Sequence, residues 1–356
     1  MTESDTRNWA EKLGYPEGSK VLILHADDAG LNAEANQAIQ KYLQHGYIQS
    51  ASVMTHCNDF KGFTEWASEE KEHDIGLHIT LTSEWKDYRW PKKTNDEYPE
   101  LYYKNEEDKR KNGTFLSSWE EVAFSVEPDA LKLEIQNQIN RFKEIHDSLP
   151  SHLDTHMGVL LNTPGFAKAF LEIGISTGIP VNIPDLPEQF VNKHFEDTKM
   201  KMLDFKKPLK NGAGQKREDR IDAIFAEDRI MEFLLKKDEY KLKFPMLDAF
   251  LPVPATVKPY TSYHDKKQRF KSFVDNLGGE LKWVRNGITE LFFHPTVDML
   301  EEDRFMGPDK WRERVHEGHL FADPEIIQFF HDQQINFTNW KEMMRRYKAR
   351  KKAGKI

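Results

Sequence analysis

Histidine and aspartate residues occur in four groups along the chain, and each group lies at or near the end of a short apolar run. These residues are Asp27 and Asp28; His78; His152, Asp154 and His156; and His294. Carboxylate and imidazole groups bind divalent metals and leave positions open for water and substrate. A further carboxylate beside such ligands serves as a general base, and a further histidine as a general acid. This combination suits metal-assisted hydrolysis of an amide, in which the metal polarises the carbonyl and lowers the pKa of the attacking water.

Each group by itself also has an ordinary structural explanation. An Asp–Asp pair after a strand commonly caps the following helix, and His78 fits a core histidine with satisfied hydrogen bonds equally well. For His294, which precedes Pro295, a structural role and a catalytic role explain the sequence equally well. The run from His152 to His156 is more informative, because alternate residues of a strand point to the same face. Three ionisable side chains on one buried face are costly unless they are bound to something. Taken together, the groups favour a functional site.

The elements that must position these residues alternate between strands and helices. The pattern predicts strands at 21–24, 48–55, 75–81, 152–155, 179–183, 288–293 and 335–338. It predicts helices at about 32–45, with Gly46 as a left-handed C-terminal cap, and at 60–68, 129–146, 164–178, 221–235, 264–276, 324–333 and 340–349. This alternation is typical of a parallel α/β fold, in which the strand ends meet at one edge or barrel mouth.

Two long polar stretches, 84–128 and 187–262, interrupt the alternation. The chain contains no internal repeat and no low-complexity linker, so the sequence predicts one domain over residues 1–356, with a core at about 20–340 and these stretches as insertions. Long loops inside a compact domain are commonly functional. In parallel α/β folds they extend from the C-terminal ends of the strands, where active sites lie.

Composition excludes several classes of function. The net charge of −8 over 356 residues argues against a nucleic-acid partner, and the short basic stretch from Arg345 to Lys355 is interpreted as solvated. With a single cysteine, Cys57, no intramolecular disulfide can form, which suits a reducing compartment. The first residues lack the apolar region of a secretory signal, and no apolar stretch is long enough to span a membrane. We therefore expect a soluble, cytoplasmic protein without a membrane partner.

The segments that carry the four groups resemble those of the YdjC-like carbohydrate deacetylases, a family that includes chitooligosaccharide deacetylases. The matching segments are ADDAGL at 26–31, GLHITL at 76–81, HLDTH at 152–156 and ELFFHP at 290–295. They occur in the family's order and cover most of the chain, from about residue 20 to 340. The resemblance implies a distorted (β/α) barrel akin to the polysaccharide-deacetylase fold. It also implies removal of an N-acetyl group from an amino-sugar or oligosaccharide substrate, and it makes a homodimer a reasonable assembly.

The resemblance further implies a role for each residue of the site. By position, Asp28, His78 and His156 match the ligands of one divalent metal ion. Magnesium and zinc are the first candidates, and manganese, cobalt and nickel also suit such ligands. Asp27 matches the general base that takes a proton from the attacking water. His294 matches the residue that stabilises the tetrahedral intermediate or protonates the leaving amine.

Supporting roles are expected for other residues. His152 and Asp154 match groups that orient the ligands from outside the coordination sphere. Four residues of the first insertion are candidates for contact with sugar rings, although surface or core positions explain them equally well; they are Trp85, Tyr88, Arg89 and Trp90. The chain departs from the family at Ala29, which is commonly Phe, and after His156, where the family often continues with alternating histidines. Both departures affect the shape of the pocket, so the substrate need not be chitobiose.

Three other functions are also compatible with the sequence. A different metal-dependent amide or ester hydrolase on a barrel, or a phosphoesterase, usually has an H-x-H pair on the first strand or a carboxylate-rich two-metal cluster, whereas this chain has Asp–Asp there. A non-catalytic carbohydrate-binding relative would be favoured if Asp27 or His294 were missing, and both are present. A glycosidase with two carboxylates would leave the histidines unexplained. The acetylated sugar, its chain length and the metal are not determined by the sequence.

Overall fold

Seven parallel strands form the centre of the computed structural model, which describes residues 6–91, 99–104, 111–207, 216–253, 284–297 and 305–356. The strands are β1 (Lys20–Ala29), β2 (Ser50–Val53), β3 (Ile75–Ile79), β4 (Leu153–Thr155), β5 (Ala249–Pro252), β6 (Gly287–Phe293) and β7 (Asn336–Phe337). Their order in the sheet is β4-β3-β2-β1-β6-β5, and β7 pairs with the first half of β1.

The two outer strands of this sheet are connected through the segment 179–184. Val181 forms a parallel bridge with Leu153 of β4, and Pro184 forms another with Leu247, just before β5. These bridges close the sheet into a distorted barrel, so the predicted α/β barrel is confirmed. The segment had been expected to form a regular strand, but only single bridges occur. Pro180 and Pro184 lack the backbone N–H that a continuous ladder requires.

Twelve α-helices surround the sheet within the described residues. They are α1 (Trp9–Lys12), α2 (Ala33–Gln44), α3 (Phe60–Glu69), α4 (Trp119–Ser125), α5 (Pro128–His146), α6 (Pro164–Thr177), α7 (Glu188–Asp204), α8 (Arg217–Ile224), α9 (Glu227–Lys241), α10 (Pro308–Leu320), α11 (Pro324–Asp332) and α12 (Trp340–Lys352). Short 3-10 segments cover Pro99–Leu101 and His156–Leu161. None of the helices described has the length and apolar character needed to cross a bilayer.

Local sequence explains where several helices begin and end. The Asn32 side chain accepts a hydrogen bond from the backbone N–H of Ala35 at the start of α2, and Gly46 follows its end with φ of +68°, as predicted for a left-handed cap. The expected helix 221–235 is two helices, α8 and α9, because apolar periodicity continues across a short break. Helices α4 and α7 lie within the two polar stretches and were not predicted. The predicted helix 264–276 lies outside the described residues.

Polar side chains fill part of the barrel interior and contact one another there. Those that are buried include His25, Ser52, His78, His152, Asp154, Asn182 and Glu290. Near the start of β4, Trp340 stacks on His152 with 5.1 Å between the ring centroids. The Nε1 of Trp340 also donates to Oε2 of Glu290 over 2.9 Å. Because buried polar groups are costly without partners, this network restricts the strands to one relative arrangement.

Gly76 in β3 is required by the position of the His152 ring. A Cβ atom at residue 76 would lie 2.3 Å from Cε1 of His152. We expect Gly76→Ala to displace the ring and to lower the free energy of unfolding by about 1–3 kcal/mol, as overpacking of a core does. Gly62→Ala is the control, because residue 62 in α3 has open space around it, and alanine there should stabilise by roughly 0.5–1 kcal/mol. Urea unfolding measures both, and equal effects of the two changes would contradict the prediction.

Candidate metal centre and active site

The end of β1 directs two consecutive carboxylates to the same barrel mouth. Neighbouring residues of a regular strand point to opposite faces. Here the pairing with β2 shifts register between Ala26 and Ala29, and Asp28 adopts φ of +63°. Positive φ is uncommon for a residue other than glycine, and such outliers cluster at functional sites. This irregularity allows Asp27 and Asp28 to face the same group of histidines.

Asp28 lies between two histidines from other strands. Its Oδ1 is 3.3 Å from Nε2 of His78 in β3 and 3.3 Å from Nδ1 of His156, which directly follows β4. One ligand atom from each of the three residues lies within 4.8 Å of the others, and all three side chains are buried. The structure therefore brings together the three residues that were predicted as metal ligands.

The outer nitrogens of both histidines are engaged by carboxylates. Nδ1 of His78 lies 2.8 Å from Oδ1 of Asp154, and Nε2 of His156 lies 3.1 Å from Oε2 of Glu84. With N–H groups donated to these carboxylates, each inner nitrogen would present a lone pair on the side of Asp28 once a bound cation displaces its proton. Oδ1 of Asp28 is buried without a hydrogen-bond partner. Three electron-pair donors that converge in this way fit a divalent metal ion.

The charges around the three residues also favour a cation. Burial by itself would lower the pKa of His156, but the carboxylates of Glu84 and Asp28 raise it to about 9. The pKa of His78 is likewise raised by neighbouring carboxylates against the effect of burial. Burial would raise the pKa of Asp28, yet the positive charge of Arg314 and the two histidines hold it well below its ordinary value. Asp28 is therefore an ionised, available ligand at neutral pH.

Arg314 is a residue of this site that the sequence analysis missed. It extends from α10, is buried, and places Nη2 2.6 Å from Oδ2 of Asp28. Its guanidinium also lies over the ring of Trp85, 5.4 Å from the centroid. A charge-assisted bond to one carboxylate oxygen fixes the orientation of the other, which faces the histidines. Glu84, the partner of His156, was missed as well, although its place soon after β3 was a usable signal.

Asp27 and His294 face each other beside the three candidate ligands. Oδ2 of Asp27 is 3.7 Å from Nε2 of His294, and their side chains are 9% and 32% exposed. Partial burial and the positive charge of Arg314 lower the pKa of His294 to about 4, so its imidazole is neutral at pH 7. The pair thus combines a carboxylate and a neutral imidazole at the accessible edge of the site, as a base and a proton carrier require.

The YdjC-like protein family matches residues 21–332 of the chain. The chain belongs to this family. A carbohydrate deacetylase from Thermus thermophilus is 30% identical over 178 residues, which are 50% of this chain and 57% of that relative. A carbohydrate deacetylase from Thermoanaerobacter pseudethanolicus is 22% identical over 326 residues, which are 90% of this chain and 98% of the relative. A solved structure from Enterococcus faecalis shares the fold, with a TM-score of 0.59 at 17% identity over 91% of this chain and 99% of that one.

Asp154 and His152 occupy different places in this YdjC-like protein. Asp154 contacts His78 directly, as the orienting role predicted from the resemblance requires. His152 directly precedes β4, stacks on Trp340 and places Nδ1 3.5 Å from Oδ1 of Asp74. In the described part of the chain, the contacts of His152 are with Ser151, Asp74, His25 and Trp340. Its orienting role stays a prediction.

The four predicted sugar-contact residues fall into two pairs. Trp90 is buried 5.7 Å from the ring of His156, with Nε1 donating to the carbonyl of Thr82. Arg89 donates to the Phe115 carbonyl and to two hydroxyl groups, and therefore holds the loop together. Trp85 and Tyr88 are partly exposed and pack beside Phe305. Contact with sugar stays a prediction, and these two residues are the accessible candidates for it.

Helix α10 also positions the loop that carries His294. Oε2 of Glu317 accepts a hydrogen bond from the backbone N–H of His294 over 2.6 Å. Gly318 packs so closely on this loop that a Cβ there would lie 2.0 Å from the carbonyl oxygen of Thr296. Burial raises the pKa of Glu317 to about 8. Helix α10 therefore contacts the candidate metal ligand Asp28 through Arg314 and the loop of His294 through Glu317.

Because the pKa of Glu317 is raised to about 8 in the folded protein, ionisation there opposes folding. The folded state keeps a proton that the unfolded chain releases near its ordinary pKa, so stability falls as the pH rises from about 4.5 to 8. We expect Glu317→Gln to gain about 2–5 kcal/mol relative to wild type between pH 5 and pH 8.5. Glu218→Gln, at an exposed position of α8, is the control. Denaturant unfolding at several pH values tests this, and identical pH profiles for both variants would contradict it.

Proposed function

We propose that this YdjC-like protein is a metal-dependent hydrolase that removes the N-acetyl group of an amino-sugar or oligosaccharide substrate. The observation that carries the proposal is the convergence of Asp28, His78 and His156 beside the pair formed by Asp27 and His294. Relatives named carbohydrate deacetylase and chitooligosaccharide deacetylase support the class of substrate. The geometry supplies the groups that hydrolysis of an amide requires.

The side chains of Asp28, His78 and His156 would hold one divalent ion. When bound, such an ion polarises the acyl carbonyl and lowers the pKa of the attacking water. Two imidazoles and one carboxylate suit zinc better than magnesium, which prefers oxygen ligands and retains several waters. Zinc is therefore the first metal to test, with magnesium, manganese, cobalt and nickel beside it.

The reaction moves one proton from the attacking water to the amine nitrogen of the sugar. In the proposal, the carboxylate of Asp27 takes this proton, since it lies between the candidate ligand Asp28 and the partly exposed His294. The neutral imidazole of His294, with Nε2 3.7 Å from Oδ2 of Asp27, accepts the proton and donates it to the leaving amine. Arg314 holds Asp28 ionised and turned toward the histidines throughout.

Acetate release from a panel of N-acetylated mono- and oligosaccharides tests the proposed function. The protein is treated with a chelator and then supplied with single divalent metals, and new reducing ends are measured in the same reactions. Acetate that appears only with metal, without new reducing ends, supports the deacetylase and argues against a glycosidase. If metal is bound but no substrate of the panel releases acetate, the proposed substrate class is wrong.

A further inference from the structure

His25 lies in β1 at the centre of the polar barrel interior and is completely buried. Its Nε2 is 3.2 Å from Oδ1 of Asp27, 3.1 Å from Oδ2 of Asp154 and 3.1 Å from Oγ of Ser52. It therefore contacts the candidate base on one side and, on the other, the carboxylate that holds His78. No motif of the sequence assigned it a role.

We propose that His25 is a positioning residue for the hydrolysis, because its imidazole, with Nε2 within 3.2 Å of both, holds the carboxylates of Asp27 and Asp154 in fixed relative positions. The proposal rests on the function proposed above. Through Asp154, the same imidazole acts on His78, whose Nδ1 lies 2.8 Å from Oδ1 of Asp154. One side chain thus aligns both the base and a candidate metal ligand.

The charges of the surrounding groups explain why a donor is needed at this point. Two buried carboxylates that approach the same point repel each other unless a hydrogen-bond donor lies between them. Nε2 forms its hydrogen bond with Oγ of Ser52, and Oδ2 of Asp154 has no hydrogen-bond partner among the described residues. The interaction of the imidazole with both carboxylates is therefore electrostatic. Ser52 reinforces the arrangement, because its hydroxyl also lies 3.2 Å from Nδ1 of His78. An apolar side chain at residue 25 would leave Asp27 and Asp154 without this connection.

The backbone around His25 makes the arrangement rigid. His25 pairs with Ser50 of β2 on one side and with Phe292 of β6 on the other. Its ring also packs edge-on against His152, with 5.1 Å between the centroids. A side chain locked by two neighbouring strands and a packed ring holds its partners more accurately than one on a loop.

The first test compares His25→Leu with His25→Gln in the full-length, metal-loaded protein. Leucine fills similar space without a donor, whereas the amide nitrogen of glutamine reaches roughly the position of Nε2. We expect His25→Leu to lower kcat about 10–100-fold and to weaken metal binding by up to about tenfold, with KM changed less than about threefold. His25→Gln should recover most of the lost kcat. An unchanged kcat in His25→Leu, or a parallel loss of metal affinity in both variants, would overturn the proposal.

The second test needs neither activity nor a substrate, and it also applies if His25→Leu does not fold. In protein labelled with 15N-histidine, the Nε2–H resonance of His25 is assigned by its loss in His25→Gln. We expect Asp27→Asn to shift this resonance, while Asp129→Asn, at a side chain that is 88% exposed, leaves it unchanged. If the resonance does not shift in Asp27→Asn, the contact between His25 and Asp27 is refuted. If the metal-loaded wild-type protein releases no acetate from any substrate, the proposed function is refuted instead, whatever the result of this test.

Discussion

Replacement of Asp27 by asparagine is expected to lower turnover by about 10²–10⁴-fold while metal stays bound. Asparagine keeps the shape of the side chain and can still accept a hydrogen from His25, whose Nε2 lies 3.2 Å from Oδ1 of Asp27. It cannot take a proton from water. The rate of acetate release at saturating metal, together with the metal content of the purified variant, measures both parts of the prediction.

The control for this change is Asp129→Asn, the same chemical substitution at an exposed position of α5. It should turn over at the wild-type rate. An Asp27→Asn enzyme that retains wild-type kcat would remove Asp27 from the role of base. Loss of metal from Asp27→Asn would instead make Asp27 part of the metal centre.

Substitution of the candidate ligands should abolish metal binding. We expect Asp28→Ala to weaken the affinity for zinc at least about 100-fold, or roughly 3 kcal/mol. Removal of the carboxylate takes away one ligand, and it also leaves Arg314, which lies 2.6 Å from Oδ2 of Asp28, as an unbalanced positive charge beside the cation. His156→Ala removes one nitrogen donor without exposing such a charge, so its effect should be smaller than that of Asp28→Ala.

Titration with zinc in the presence of a competing chelator measures these affinities. His45→Ala is the matched control, because His45 is an exposed histidine at the end of α2. Wild-type affinity in both Asp28→Ala and His156→Ala would exclude this metal centre. Two other clusters, His25 with His152 and Asp154 and Asp27 with His78 and Asp154, also bring their ligand atoms within 4.8 Å of one another and would then be the next candidates.

The end of β1 shows how far the local apolar pattern of the sequence predicts the site. The sequence predicts the first strand at 21–24, yet β1 continues to Ala29. The prediction ends the strand before His25, Asp27 and Asp28, but His25 and Ala26 pair with β6 and their strand enters a polar barrel interior. Polarity ends a strand only where it faces solvent, and no local pattern reveals that the inside of this barrel is polar.

The sequence by itself determined the fold class and the candidate residues that lie in recognisable local segments. Alternating apolar runs require a parallel α/β arrangement, and Asp28, His78 and His156 stand at the ends of such runs. Only the tertiary structure decided the partners of these residues. Arg314 reaches Asp28 across 286 positions of the chain, and Glu84 and His156 are 72 positions apart. Periodicity and motifs report neighbours within a few residues, whereas the charges that orient this site come from elements that only folding brings together.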